Sequence, residues 1–339
     1  MGLKAGIYGG SGYGGTELVR LLSAHPEVGS LAVASRGNAG QSISGVFPQL
    51  SAEGDFVAPE QIDAGALDVA FVAYSHGESA ETVALLLEAG TRLVIDLSAD
   101  FRLPGELYAQ WYGEHPEPGL IEEAHYGLPE LFGMPEDVRL IANPGCYPTA
   151  ATLALAPVVK RLGTRVRSVT VNALSGVSGA GARPSGKTHF VSANENVSAY
   201  GFPHHRHAPE IQNVLGRVGA APKVTFVPHL LPVSRGILET ITVETADPAD
   251  LPAAEEALGW YAGDYEGWKF VEAREEYPQI AHVANTNRVR LSAAVDEAAG
   301  KLILFSAEDN LLKGASGAAV QNMNLALGYP EDLGLEHLK

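Results

Sequence analysis

Ala5-Gly6-Ile7-Tyr8-Gly9-Gly10-Ser11-Gly12-Tyr13-Gly14-Gly15 decides how the rest of the chain is read. Ala5–Tyr8 is a short apolar strand, and it runs directly into glycines. Thr16–Ala24 follows with helical apolar spacing at Leu18, Leu21 and Leu22. Gly9, Gly12 and Gly15 recur at every third position, with Ser11, Tyr13 and Gly14 between them. Glycine permits the tight turn and lets the backbone approach a phosphate closely. The helix that opens next offers unsatisfied N–H groups and partial positive charge. Strand, glycine turn and helix together predict a dinucleotide-binding α/β domain.

The end of the second strand, Ser30–Ala34, tests which dinucleotide fits. An NAD site usually places Asp or Glu there to receive the ribose hydroxyls. This chain has Ala34-Ser35-Arg36-Gly37-Asn38. Ser35 and Arg36 suit a ribose 2′-phosphate, which predicts NADP(H). Further strands are expected at Asp68–Tyr74, Leu93–Asp96 and Arg139–Ala142, with a helix at Ser79–Ala89. Strands separated by helices imply a parallel sheet covered on both faces. Beyond about Thr149 the pattern changes. Ser168–Leu174, Lys223–Val227, Ile237–Glu244, Arg288–Val295 and Leu302–Ser306 read as strands, several alternating polar with apolar residues. That alternation suits an antiparallel sheet with one wet face. Ala208–Gly216, Leu251–Gly263 and Ser316–Leu327 read as helices, and Gly- and Ser-rich Ser175–Lys187 as a long loop. The expected fold class is α/β: a Rossmann-type domain joined to a second, α+β domain.

Composition narrows the classes of function. The 339 residues carry 40 Asp+Glu against 23 Lys+Arg, a net charge of −17. An acidic chain is a poor default partner for nucleic acid or an anionic membrane. One cysteine cannot form an internal disulfide or a multi-cysteine metal site. Leu140–Val159, the most apolar long stretch, holds Pro144, Pro148 and Pro157 and is not expected to span a membrane. The start lacks the charged and apolar regions of a signal peptide, and Gly6 stands where a Met1-Gly2 myristoylation motif wants Ser or Thr. A cytoplasmic protein is expected.

The lone cysteine lies in Asn143-Pro144-Gly145-Cys146-Tyr147-Pro148-Thr149, after a strand and before an apolar segment. Pro148 is acceptable in the first turn of a helix. Cys146 would then sit at a helix N-terminus, where the dipole favours a thiolate. A nucleophilic thiol needs a proton-transfer partner, and His204-His205-Arg206-His207 is the richest source. Three histidines in four positions also raise metal binding, but neither cysteine nor clustered carboxylates accompany them, so no metal is expected.

These features combine into a resemblance over essentially the whole chain. The chain resembles the N-acetyl-γ-glutamyl-phosphate reductase family, relatives of aspartate-semialdehyde dehydrogenase. The resemblance rests on Gly9–Gly15, Leu97-Ser98-Ala99-Asp100-Phe101-Arg102-Leu103, Tyr126–Glu130, Asn143–Thr149 and Gly176–Gly181. It continues through His205–His207, Pro228–Leu230, Val233–Gly236, Asp309–Gly317 and Gln321–Asn324. It implies a coenzyme domain of residues 1–148 plus 310–339 and a catalytic and dimerisation domain of residues 149–309. It implies that the Cys146 thiolate displaces phosphate from N-acetylglutamyl 5-phosphate, and that NADPH reduces the resulting thioester to the semialdehyde. His207 is implied as acid/base, with His205 second. Arg102, Asn143, Ser178, Lys187, His205, Arg206 and Glu210 are implied substrate contacts, and Arg183 and Arg235 lie in or beside the same motifs. Ser75, His76, Asn310 and Lys313 are implied coenzyme contacts. The expected partner is a small-molecule substrate, and the expected assembly a homodimer or homotetramer.

Four other readings compete. Aspartate-semialdehyde or glyceraldehyde-phosphate dehydrogenase would share the chemistry, but the His205-Arg206-His207 motif fits them less well. A lysine-pathway relative would reduce a longer aminoadipyl phosphate, in some organisms on an acidic carrier that this acidic chain should repel. A cysteine hydrolase would leave the glycine turn and Arg36 without a role. A non-catalytic NADP sensor would make the Cys146 and His207 motifs accidental.

Overall fold

The computed structural model describes residues 2–338, and Met1 and Lys339 lie outside the described residues. The chain divides into two compact units. The first runs to Pro144 and regains Ala315–His337; the second is Gly145–Gly314 with Leu338.

The first unit begins β1 (Leu3–Tyr8), α1 (Tyr13–Ser23), β2 (Val28–Ala34) and α2 (Ile43–Val46). It continues β3 (Val69–Val72), α3 (Ser79–Glu88), β4 (Leu93–Asp96) and α4 (Gly105–Tyr112), then β5 (His125–Tyr126), α5 (Pro129–Phe132) and β6 (Leu140–Ala142). The six strands form one sheet in the order β2-β1-β3-β4-β6-β5. Every pairing is parallel. β3, β4 and β6 are buried along their whole length, as strands covered on both faces must be.

In the second unit, α6 (Cys146–Leu162) leads into β7 (Val166–Gly176). After α7 (Phe190–Ala193), β8 (Ser198–Ala199) and α8 (His207–Val218) come β9 (Lys223–Leu231) and β10 (Ile237–Thr245). α9 (Ala254–Asp264), β11 (Val271–Ala273), α10 (Ile280–Val283), β12 (Val289–Asp296) and β13 (Lys301–Glu308) complete it. The strands order as β11-β12-β13-β10-β7-β9-β8. The sheet is mixed, which corrects the antiparallel expectation: β7 pairs parallel with β9, and β11 parallel with β12. Alternation reports which face is buried and carries no information on strand direction. On β10, Ile237, Glu239, Ile241 and Val243 face the core, while Leu238, Thr240 and Thr242 are half-buried on the other side.

Against the buried face packs α6, whose residues Tyr147–Val159 are all buried. Pro157 removes the N–H that would bond Leu153 O four residues back. Tyr265 Oη donates to that carbonyl at 2.6 Å, and Tyr261 Oη donates to Ala154 O at 2.9 Å. The helix therefore survives its internal proline without an orphaned acceptor.

Finally α11 (Gly317–Ala326) returns to the first unit and packs against α1 and β4. It is buried yet polar, and the amide nitrogens of Gln321, Asn322 and Asn324 are all paired. Gln321 Nε2 donates to Glu130 and Glu331, and Asn322 Nδ2 to Gly127 O and Asn143 Oδ1. Asn324 Nδ2 donates to Leu333 O at 2.9 Å, and its Oδ1 lies 3.0 Å from His25 Nε2. Gln321-Asn322-Met323-Asn324 is thus an architectural motif: its amide nitrogens hold distant carbonyls and carboxylates, and only Asn322 Oδ1 is left without a partner among the described residues.

Candidate active site

In the first unit the glycine turn is built for close backbone approach. Gly9 has φ +95°, and a Cβ there would lie 2.7 Å from Ala73 O. A Cβ on Gly15 would lie 2.2 Å from Gly9 O, so the first turn of α1 sits directly on the strand end. The Gly9 and Gly10 N–H groups both donate to Ala34 O, joining the turn to the end of β2. Ser35 Oγ donates to Ser11 Oγ at 2.9 Å, and Ser316 Oγ holds Gly14 O at 2.8 Å. Turn, α1 N-terminus, Ser35 and Arg36 fit a dinucleotide with a 2′-phosphate. The Arg36 guanidinium lies 4.3 Å over the Tyr74 ring, and its Nη1 is 3.2 Å from Glu78.

The expected coenzyme loop Ser75-His76-Gly77 follows β3, is exposed, and is fixed from beneath by a residue the sequence reading did not single out for a role. Asp100 accepts from Gly77 N at 2.8 Å, Ala80 N at 3.1 Å and Tyr108 Oη at 3.0 Å. Asp96, fully buried beside it, accepts from Ser79 Oγ and Ser98 Oγ, each at 2.6 Å. Burial outweighs those bonds and pushes the Asp96 carboxyl up to about 6. Arg102 is committed to the fold: Nε donates to Asn143 O at 2.7 Å and Nη2 to Leu97 O at 2.8 Å. Asn143 is equally engaged, donating to Ala315 O and accepting from Asn322. These two expected substrate contacts tie the ends of β4 and β6 together.

In the second unit Cys146 is the first residue of α6, partly exposed at the head of an otherwise buried helix. Gly145 is its N-cap, and Pro148 falls in the first turn, where a missing N–H is harmless. Glu210, in the first turn of α8 and buried, accepts from Gly145 N at 2.9 Å. Its carboxylate positions the backbone before the thiol. His207 opens α8, and its ring meets the edge of Tyr147 at 5.7 Å and His205 at 5.0 Å. The structure thus gathers Gly145, Cys146, Tyr147, His207 and Glu210. His205 is packed among Tyr147, Tyr200 and Phe226, and its Nδ1 accepts from His207 N at 3.2 Å. Burial first, then the Arg206 charge, lowers its pKa to about 4, so it is neutral at physiological pH. Lys187 and Arg206 are exposed.

Behind the thiol lies Gly314: a Cβ there would come 2.7 Å from both Cys146 Cβ and Glu308 Oε1. Asn310 Oδ1 accepts from Gly236 N at 2.7 Å, and its Nδ2 donates to Ser178 Oγ at 2.9 Å. Lys313 is fully buried. Both residues fall in the second compact unit, within Gly145–Gly314. The whole of α6 falls in the same unit. Asp100, Tyr74 and Gly314 escaped the sequence reading. Their neighbours are distant in the chain or depend on side-chain geometry, although Asp100 and Gly314 lie inside motifs that carried the resemblance.

Comparison with known proteins gives two family models and full-length relatives. The NAD-binding domain of semialdehyde dehydrogenases matches residues 4–140, and their dimerisation domain residues 146–310. N-acetyl-gamma-glutamyl-phosphate reductase from Rubrobacter xylanophilus is 71% identical over 344 residues, covering 100% of each chain. The Dehalococcoides mccartyi protein of that name is 47% identical, over 98% of this chain and 97% of the relative. Among solved structures, aspartate semialdehyde dehydrogenase II from Vibrio cholerae superposes with a TM-score of 0.73 at 19% identity. That match covers 97% of this chain and 99% of the other and establishes the shared fold. Among the described residues no helix is long and apolar enough to cross a membrane.

Proposed function

The chain belongs to the N-acetyl-γ-glutamyl-phosphate reductase family of the semialdehyde dehydrogenases, and from that premise we propose how its own residues carry the reaction. The reaction is the NADPH-dependent reduction of N-acetyl-L-glutamyl 5-phosphate to N-acetyl-L-glutamate 5-semialdehyde and phosphate, a step of arginine biosynthesis. The observation that carries the mechanism is Cys146 at the head of α6, partly exposed, with the first turn of α8 beside it. The helix N-terminus favours the thiolate. His207 takes the thiol proton, Sγ attacks the acyl carbon, and the C–O bond to phosphate breaks to leave a Cys146 thioester. NADPH, when bound, supplies the hydride. The glycine turn, Ser35 and Arg36 hold the coenzyme, and the Asp100-fixed loop Ser75–Gly77 supports it. Backbone N–H groups at the start of α6 stabilise the oxyanion formed at the thioester carbon. Its collapse breaks the C–S bond, and His207 returns the proton to sulfur. His205, neutral and with Nδ1 occupied, shapes the pocket wall and leaves proton transfer to His207. Glu210 holds Gly145 in place, which is a positioning role.

Cys146→Ser tests this reading. Phosphate-dependent oxidation of the semialdehyde should fall at least about a thousand-fold while NADP binding stays within twofold; retained turnover would sink the covalent mechanism. Comparing turnover of N-acetylglutamyl phosphate with its one-carbon-longer homologue separates the reaction from that of the lysine-pathway relative. The enzyme works in the cytoplasm as a homodimer or homotetramer. The half-buried face carrying Leu174, Leu238 and Phe305 is the subunit contact, a reading supported by the match to a dimerisation domain.

A further inference from the structure

Arg36 does not stand alone at the end of β2. Its guanidinium carbon lies 4.3 Å from the centroid of the Tyr74 ring, and its Nη1 lies 3.2 Å from Glu78 Oε2. Tyr74 follows β3, and Glu78 immediately precedes α3. β2 and β3 flank β1 on either side, so Arg36 spans the end of the central strand, where the adenosine ribose of a dinucleotide sits in this fold. Both charged side chains are accessible, at 58% and 46% exposure, so an arriving anion meets both.

The two carry opposite consequences for the two coenzymes. A 2′-phosphate binds a guanidinium best when two N–H groups on one edge are available together. Glu78 already takes one of the terminal nitrogens, and its charge repels a phosphate. A ribose with a free 2′-hydroxyl reverses this: the hydroxyl donates, a carboxylate accepts, and no like charge is introduced. Stacking on Tyr74 keeps the guanidinium in place under either occupant.

We propose that Glu78 is a coenzyme-selectivity residue, competing with the 2′-phosphate for Arg36 and thereby moderating the preference for NADPH over NADH. The proposal rests on the reading of Arg36 as the 2′-phosphate partner. The test measures NADPH and NADH dissociation constants by coenzyme fluorescence for the wild type, Glu78→Gln, Arg36→Ala and the double variant, at 50 and 300 mM NaCl. Glu78→Gln should tighten NADPH roughly three- to ten-fold and leave NADH unchanged or weaker. High salt should shrink the gain, and in the Arg36→Ala background it should fall below half. The proposal is overturned if both coenzymes shift together, if neither shifts, or if the full gain persists without Arg36. Arg36→Ala leaving the NADPH/NADH ratio at the wild-type value would sink the 2′-phosphate assignment as well. Failure of Glu78→Gln alone, with Arg36→Ala altering the ratio, would sink only the role of Glu78.

Discussion

Gly314→Ala is a one-carbon change with a consequence readable from the packing. The new Cβ would sit 2.7 Å from Cys146 Cβ, 2.7 Å from Glu308 Oε1 and 3.2 Å from Cys146 Cα. Ordinary contact begins at 3.4 Å, so something must move by about 0.7 Å. Neither neighbour gives easily. The Cys146 Cβ is fixed to the first residue of a helix buried from Tyr147 to Val159, and Glu308 is itself fully buried. Overpacking of this kind costs about 1–3 kcal/mol. A nucleophile displaced by roughly 1 Å loses on the order of 100-fold in rate, so a shift of this size should lower kcat about 10- to 100-fold. NADPH binding should be unchanged, because the glycine turn belongs to the other unit. The assay is steady-state NADPH oxidation with thermal unfolding on the same samples. Gly259→Ala in α9 serves as control, since nothing lies within 4 Å of its Cβ position; as a helix-interior exchange it should hold or raise stability by up to about 1 kcal/mol. A Gly314→Ala protein with wild-type kcat and wild-type Tm would refute the claim that Gly314 is glycine to make room for the nucleophile.

Glu239 faces the core of the second sheet, fully buried, with neither carboxyl oxygen hydrogen-bonded, and burial raises its pKa well above 4.5. The folded state therefore holds a proton that the unfolded state releases, and stability falls as pH rises above the unfolded value, by about 1.4 kcal/mol per unit until the folded pKa is reached. Denaturant titrations from pH 5 to 8 should show Glu239→Gln gaining on the wild type as pH rises; a pH-independent difference would show that Glu239 does not titrate this way. The histidines make a second pair. His205, held near 4, should leave the neutral limb of the kcat/KM profile in place when changed to Asn, whereas His207→Asn should remove it and lower kcat more than it changes KM. The reverse pattern would exchange their roles.

What was legible in the sequence follows from the range of the interactions involved. The β1–glycine turn–α1 unit is local: strand, turn residues and helix start are consecutive, and the close approach that demands glycine at Gly15 comes from Gly9 and Gly10, although Gly9 itself is crowded by the distant Ala73. Placement of Cys146 at a helix head was legible for the same reason. The return of α11 came from the resemblance and not from the local pattern, because the bond that seats it on the glycine turn, Ser316 Oγ to Gly14 O, joins residues 302 apart. Side-chain roles divide in the same way. The resemblance implied substrate contacts at Arg102 and Glu210. In the structure each bonds backbone groups: Arg102 donates to two carbonyls at strand ends, and Glu210 accepts from the N–H before the thiol. A formal charge marks a residue that must be paired when buried, but it does not say with what. That distinction matters for the substrate. With Arg102 stapling β4 to β6, we propose that the exposed Lys187 and Arg206 meet the carboxylate and phosphate. Their removal should raise the substrate KM while leaving the fold intact, whereas loss of Arg102 should lower Tm before it changes any binding constant.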